Sequence, residues 1–309
     1  MQVYLPIAEM AVNAEAIFLL SAGVGILSGI FGIGGGFLTT PFLIFMGIPP
    51  AVAVGTQSAQ LLASSVAGAL GHWHKGNVDI RMGLVMVAGG LLGSFIGTFI
   101  FKLLDRTGQI DFTIYFLYIV LLGGMGFLML YESASTFFGR RPGASPTEHD
   151  PHATRAGADF IARLPYKMRF ARSRLYISAL VPAGIGFVGG LLTSVLGIGG
   201  GFILVPAMIY ILGMPGLLVS GTSLLQMMFT TGSTTIMHAM ANQSVDIMLA
   251  AILIVGGVIG AQIGVSFSKY IKGSLARVIL ALILLAVSFQ MIGQLFIQPA
   301  ELYSTVVWS

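Results

Sequence analysis

The sequence predicts an all-α integral membrane protein built from two homologous halves of four segments each. Hydrophobic residues make up 56% of the 309 residues and charged residues only 8%, whereas about 25% of an ordinary globular domain is charged. Residues 16–71, 175–245 and 247–268 contain no Asp, Glu, Lys or Arg. Because about 20 apolar residues cross a bilayer, these stretches have room for several crossings.

An internal repeat divides the chain into the two halves. The motif GIGGGF occurs at Gly32–Phe37 and again at Gly197–Phe202, within apolar segments that match well beyond the glycines. Later residues recur in the same order at nearly constant spacing: Pro41 with Pro206, Gly47 with Gly213, Pro49 with Pro215, Thr56 with Thr222, Gln60 with Gln226, His72 with His238, and Asp79 with Asp246. Internal repeats of this kind are common in membrane transporters.

Each half begins with an apolar segment interrupted by glycines and continues with three uninterrupted helices. In the first half the interrupted segment covers residues 14–46 and the helices cover 50–71, 80–103 and 112–131. In the second half the interrupted segment covers 175–212 and the helices cover 216–240, 246–267 and 275–297. These patterns predict a first transmembrane repeat over 1–135, a connector over 136–174 and a second transmembrane repeat over 175–309.

The charged loops predict the topology. Residues 140–174 contain eight Lys or Arg and three Asp or Glu, so the positive-inside rule places the connector in the cytoplasm. Lys75 and Arg81 mark the loop before the third segment of the first half as cytoplasmic, whereas Lys269 and Lys272 mark the loop after the third segment of the second half. Corresponding loops then face opposite sides. This predicts an inverted repeat with both termini outside, in which the first segment of each half is a broken or re-entrant helix.

The end of the connector has a mixed character. Residues 160–176 combine apolar and basic side chains, a composition that suits an amphipathic helix on the anionic cytoplasmic leaflet. A solvated linker fits nearly as well, and Pro165 weakens the helical interpretation.

Composition also excludes several classes of protein. The chain has no cysteine, which rules out disulfides and cysteine-ligated metals. Its net charge of +4 lies in the loops, so nucleic acid is not an expected partner. Residues 1–15 contain no Lys or Arg, and the first apolar segment is therefore expected to be a retained membrane segment and not a cleaved signal.

The paired GIGGGF motif resembles the sulfite exporter TauE/SafE family, also called the toluene sulfonate uptake permease group. In each half a proline lies four residues after the motif, at Pro41 and Pro206, and a Gly-Thr pair follows further on. The resemblance covers nearly the whole chain. It implies a secondary carrier in the cell inner membrane for sulfite, a sulfonate or a related organosulfur anion.

The glycine runs are the candidate anion site. A run of this density would not remain a stable lipid-facing helix, and unwound backbone at membrane depth requires protein or water around it. The half-helices that begin near Phe37 and Phe202 would present free N–H groups to an anion at the midplane. The predicted substrate-binding glycines are Gly34, Gly35, Gly36, Gly199, Gly200 and Gly201. Close helix packing is the alternative, and we favour it for Gly89, Gly93, Gly97, Gly256, Gly260 and Gly264.

Polar side chains just after each glycine run could complete the site. The predicted substrate-binding side chains are Thr56, Gln57, Gln60, Thr222, Ser223 and Gln226; the alternative is hydrogen bonding between helices. His72, His238, Asp79 and Asp246 are weaker candidates for gating or coupling, and the two aspartates also fit helix N-caps. No carboxylate or cysteine lies at metal-ligand spacing from the histidines, so neither a metal nor a cofactor is expected.

The sequence thus favours an exporter of a small sulfur-containing anion over other functions. Its expected partners are that anion and membrane lipid, and a homo-oligomer is left open. An anion channel would share the paired helix breaks, and an importer would need a coupling ion. An enzyme is not expected because the apolar segments hold no catalytic constellation.

Overall fold

The protein is described here from a computed structural model that covers residues 2–31, 36–137, 165–170, 172–173, 175–267 and 273–296. The first half contains α1 (Ala14–Phe31), α2 (Gly36–Phe45), α3 (Pro50–His74), α4 (Ile80–Arg106) and α5 (Ile110–Phe137). The second half contains α6 (Leu180–Leu196), α7 (Gly201–Tyr210), α8 (Gly216–Met237), a π-helix (His238–Asn242), α9 (Ile247–Phe267) and α10 (Gly273–Phe296). The predicted all-helical membrane architecture is confirmed for the described residues, apart from two short hairpins.

Each hairpin directly precedes the first helix of a half. Strands β1 (Gln2–Leu5) and β2 (Met10–Asn13) pair antiparallel before α1. Strands β3 (Lys167–Phe170) and β4 (Leu175–Ser178) pair in the same way before α6. The repeat therefore extends upstream of the apolar segments. The amphipathic-helix interpretation of residues 160–176 is wrong where the structure describes them, because strands occupy those positions. The first helix of the second half begins at Leu180, five residues after the predicted start of the apolar segment at Leu175.

Within the part of the chain that the structure describes, four helices are long and apolar enough to cross a membrane: Ile80–Arg106, Ile110–Tyr131, Ile247–Gly264 and Val278–Leu295. The shorter α1, α2, α6 and α7 are also apolar. On α4 the glycines face inward, while Phe95 and Phe99 on the outward face are 64% and 68% exposed. Large apolar side chains facing outward along a crossing helix are what a lipid environment requires.

The tightest helix contacts join the two halves. Gly93 of α4 lies so close to α6 that an added Cβ would overlap the Phe187 carbonyl oxygen. In the equivalent contact, Gly260 of α9 lies against the Ala22 carbonyl of α1. Backbones approach this closely only where neither residue has a side chain in between. The predicted packing role of these α4 and α9 glycines is confirmed.

The direction of each contact follows from its residue numbers. Along α4, Gly89 lies on Ala183 and Gly97 on Leu191, so α4 and α6 run parallel. The equivalent helices α3 and α8 run antiparallel, because Gly68 faces Leu224 whereas Gly232 faces Leu62. Helices α5 and α10 are also antiparallel: Tyr115 lies beside Gln294, and the Ser288 hydroxyl donates to the Ile119 carbonyl at 3.2 Å.

The α4 and α6 contact generates a first prediction. Gly93→Ala should push the two helices apart and lower the unfolding free energy by about 1 to 3 kcal/mol, the usual cost of overpacking. Thermal unfolding of the detergent-purified protein measures the effect. Gly184→Ala on α6 is the matched control because its Cβ would meet no atom within 4 Å. Equal melting temperatures for the two variants would contradict the packing role.

Candidate substrate site

The second glycine run forms a turn between α6 and α7. The φ angles of Gly197, Gly199 and Gly200 are +69°, +75° and +73°. Residues other than glycine rarely adopt this left-handed backbone conformation. The Gly197 N–H donates to the Thr193 carbonyl and ends α6, and Gly200 is the N-cap of α7. The first N–H groups of a helix have no intrahelical acceptor. The predicted Gly199, Gly200 and Gly201 therefore lie where donors are available.

The starts of α2 and α7 lie side by side. Gly36 begins α2, and a Cβ added to it would lie 3.1 Å from the Ile198 carbonyl oxygen. The rings of Phe37 and Phe202 stack with centroids 4.6 Å apart. Leu61 of α3 lies against both Gly36 and Gly199. The structure thus brings together two helix N-termini, whose dipoles both favour negative charge. Gly34 and Gly35 lie outside the described residues.

The two matched glutamines differ in their hydrogen bonding. Gln60 of α3 accepts from the Gln57 amide. Gln226 of α8 is fully buried, and neither atom of its amide has a hydrogen-bond partner among the described residues. Ser223, which occupies the position of Gln57, donates to the Ser220 carbonyl. A buried unpaired amide costs about 1 to 3 kcal/mol.

The matched threonines join the halves. The Thr222 hydroxyl accepts from the Asp79 N–H at 3.0 Å, and the Thr56 hydroxyl accepts from the Asp246 N–H at the same distance. The Asp79 carboxylate caps α4 by accepting from the Met82 N–H, and the Asp246 carboxylate caps α9 by accepting from the Leu249 N–H. The predicted N-caps are confirmed. These contacts favour the alternative of interhelical hydrogen bonding for the two threonines.

Each hairpin completes one of these caps. The Ser173 N–H and hydroxyl donate to the Asp79 carboxylate at 3.0 and 2.6 Å, and the Ile7 N–H donates to the Asp246 carboxylate at 3.0 Å. Arg172 donates to the carbonyls of the loop before Asp79. We call each set of a hairpin, an aspartate and a threonine a latch. Neither latch was predicted from the sequence. The only available signal was the 165-residue offset between the hairpins (167 − 2), which equals that between Phe31 and Leu196.

His238 is wholly buried inside the bundle. Its Nε2 lies 2.9 Å from the Ser194 carbonyl oxygen, and its Nδ1 lies 2.9 Å from the Asn242 amide nitrogen. Phe101 of α4 packs edge-on against its ring. The matched His72 instead lies half-buried at the end of α3. The structure therefore separates the two histidines that the repeat pairs.

Apolar crossing helices, packed through glycine around a buried polar centre, define a polytopic helical membrane protein. Comparison with known sequences gives its family. The chain belongs to the sulfite exporter TauE/SafE family, whose profile matches residues 17–291. The chain is therefore a member of a family of membrane transporters. The family that the paired GIGGGF motif indicated is confirmed.

Several curated proteins are similar to the chain. A probable membrane transporter protein of Xylella fastidiosa is 30% identical over 288 residues, which is 92% of this chain and 97% of that protein. The probable membrane transporter protein YunE of Bacillus subtilis is 25% identical over 89% of this chain and 97% of its own. The Sulfite exporter TauE/SafE family protein 2 of Arabidopsis thaliana is 42% identical over 69 residues, 21% of this chain and 15% of its own. No solved structure matches the chain.

The threonine latch generates a second prediction. Thr222→Val removes the acceptor for the Asp79 N–H and should lower the unfolding free energy by about 1 to 3 kcal/mol, the cost of a buried donor left unpaired. Thr222→Ser keeps the hydroxyl and should melt close to the wild type. The melting temperatures of the two variants are measured in the same detergent. Equal melting temperatures would show that the Thr222 hydroxyl does not stabilise the position of α4.

Proposed function

We propose that the protein is a secondary carrier that exports a small sulfur oxyanion or organosulfonate across the cell inner membrane. The anion would bind near the midplane, where the glycine starts of α2 and α7 meet. Family membership supports the transport function, and the adjoining helix N-termini support an anionic ligand. Because the N–H and amide groups are neutral, they can also release the anion on the opposite side of the membrane.

The buried amide of Gln226 is the observation that carries this proposal. Its Nε2 lies 2.6 Å from the position that a Cβ on Gly90 would take, so glycine is needed there to leave room for the amide. The neighbouring Met227 sulfur lies against Gly199 in the second glycine turn. A polar group that the fold buries without a partner is a natural ligand contact. Gln60 has the same relation to Gly257 in the other half.

The membrane potential can supply the driving force for export. Residues 16–71, 175–245 and 247–268 have no charged residue, so no carboxylate relay for proton coupling lies within them. An inside-negative potential favours outward movement of an anion by about 2.3 kcal/mol per charge per 100 mV. A uniport is therefore sufficient.

The transport model includes an inverted repeat with re-entrant α1–α2 and α6–α7 units. The antiparallel contacts between α3 and α8 and between α5 and α10 support the inversion. Gly47, just after α2, lies near Met10 of the hairpin that precedes α1, which supports a return to the same side. In this arrangement the connector is cytoplasmic and both termini are outside.

The topology is tested at equivalent hairpin positions. Gln2→Cys and Lys167→Cys place single thiols on exposed residues of a chain that lacks cysteine. In oriented vesicles a membrane-impermeant maleimide should label the first from outside and the second only from the cytoplasmic side. Labelling of both thiols from one side would eliminate the inverted arrangement.

The anion site is tested with Gln226→Leu. The leucine removes an unpaired buried amide, so the variant should be at least as stable as the wild type while its anion affinity falls by about 1 to 3 kcal/mol. Isothermal titration with sulfite, thiosulfate and sulfoacetate measures affinity, and thermal unfolding measures stability. Gln262→Leu, at an exposed position on α9, is the control and should bind normally. Unchanged affinity in a stable Gln226→Leu protein would overturn the assigned site.

A further inference from the structure

The buried His238 and the partly buried Asn242 form a polar pair after α8. A carbonyl oxygen only accepts hydrogen bonds, so the His238 Nε2 that faces Ser194 carries the hydrogen. The Asn242 Nδ2 only donates, so the Nδ1 that faces it carries none. With the amide in this orientation the imidazole is neutral, and both of its nitrogens are hydrogen-bonded.

The amide of Asn242 provides a second arrangement. Its Oδ1 is buried and has no hydrogen-bond partner among the described residues. A half-turn of the amide exchanges Oδ1 and Nδ2, which have nearly the same shape. The oxygen would then face Nδ1 and accept from it, so the ring would be an imidazolium with an acceptor at each nitrogen. The two arrangements differ by one proton and one amide rotation.

The π-helix explains why this pair occurs only in the second half. The repeat offset is 166 between His72 and His238 (238 − 72) but 167 between Val78 and Val245 (245 − 78). One residue is thus inserted in this interval, and the π-helix His238–Asn242 accommodates it. Gln243 follows with a φ of +49°, a costly conformation for a residue other than glycine. Single π-turns inside helices are frequent at functional sites.

The first half lacks the partners of this histidine. The positions that match Ser194 and Thr234 are Gly29 and Gly68. Gln243, the left-handed residue after the π-helix, matches Gly76 at the offset of 167 (243 − 76), so Asn242 corresponds to Lys75 or to the inserted residue. In the second half, Ser194 accepts from His238 through its carbonyl, and its hydroxyl lies 3.1 Å from that of Thr234. Because the first half packs in the equivalent manner without these groups, the fold does not require them.

Few charged groups face the ring from the elements around it. Helix α3 and the segment from α6 to the π-helix contain no Asp, Glu, Lys or Arg. On α4, next to Phe101, lie Lys102, which is partly buried, and Asp105, which is exposed. Before α9 lies Asp246, whose carboxylate accepts from backbone N–H groups. Among the described residues, the ring's electrostatics therefore depend mainly on the groups that hydrogen-bond to it.

We propose that His238 and Asn242 form a proton-binding site, switched by rotation of the Asn242 amide, whose protonation strengthens anion binding at the second glycine turn. Ser194 lies three residues before Gly197, so the ring contacts the last turn of α6 just before that turn. A positive charge there favours an anion at the start of α7. By linkage the anion favours the proton equally. The coupling rests on the proposed function, whereas the proton site does not.

The proton site is tested without any ligand. Imidazole ¹⁵N spectra of histidine-labelled protein are recorded while the pH is lowered from about 8 through the range in which the protein stays folded. The His238 signal, one of five, is assigned by its loss in His238→Gln. We expect conversion from the neutral Nε2–H form to the imidazolium. Asn242→Asp should raise the midpoint because a carboxylate stabilises the cation, and Asn242→Leu should lower it. His72→Gln is the matched control and should leave the midpoint unchanged.

The outcomes separate the two parts of the proposal. A His238 that stays neutral throughout, or equal midpoints in Asn242→Asp and Asn242→Leu, would overturn the proton site. Coupling is measured with thiosulfate, which does not ionise in this range: wild-type affinity should fall about tenfold for each unit of pH above the midpoint, up to the coupling limit. His238→Gln should lose this dependence. Absence of thiosulfate binding, or a pH-independent affinity in the wild type, would count against the coupling and leave the NMR result standing.

Discussion

The rest of the structure depends on the contact of glycine backbones between the two halves. Within a bilayer, burial of apolar surface does not drive helices together, so close packing must do so. Gly93 against Phe187 and Gly260 against Ala22 allow α4 and α9 to touch the backbones of α6 and α1. Because α6 ends at the second glycine run, its contact with α4 also fixes where the turn from Gly197 to Gly200 lies. The second half therefore places this turn against a helix that the first half supplies.

The contacts between the two halves also determine which polar groups find hydrogen-bond partners. Thr56, Thr222, Asp79 and Asp246 all find partners in the opposite half, close to helix ends. A polar group without a partner is expensive in an environment that offers no water. The fold nevertheless leaves the Gln226 amide unpaired beside the glycine crossing of α4 and α6. Single polar atoms of Thr40, Gln57, His72 and Asn242 are also buried without a partner. Among these described residues Gln226 alone lacks a partner at both atoms of its amide, which is why a ligand is proposed for it.

The sequence predicted the repeat, the helices and the packing glycines because each leaves a local pattern in apolar residues or in glycine spacing. It did not predict the hairpins, since QVYL and KMRF are only four residues long and their role depends on contacts with Asp79 and Asp246 that are distant in the chain. The threonine partners were hidden for the same reason. The π-helix left only a one-residue change in offset between Val78 and Val245. Contacts between the halves form in three dimensions, and a single sequence records them only through such indirect signs.

Differences between the halves bear on the direction of transport. Under the proposed inversion, a repeat with identical halves would offer the same site and the same gate to each side of the membrane. The matched pairs, such as Thr56 with Thr222 and Gly93 with Gly260, serve packing and latching and are equivalent in the structure. The halves differ at positions such as Gln57, which is matched by Ser223, and in the residue inserted between His238 and Val245. The first difference leaves the Gln226 amide without the partner that Gln60 has, and the insertion places the Asn242 amide beside the His238 ring. Under the proposed function, a difference in anion affinity between the two faces is expected to arise at positions such as these, since the matched pairs make equivalent contacts in both halves.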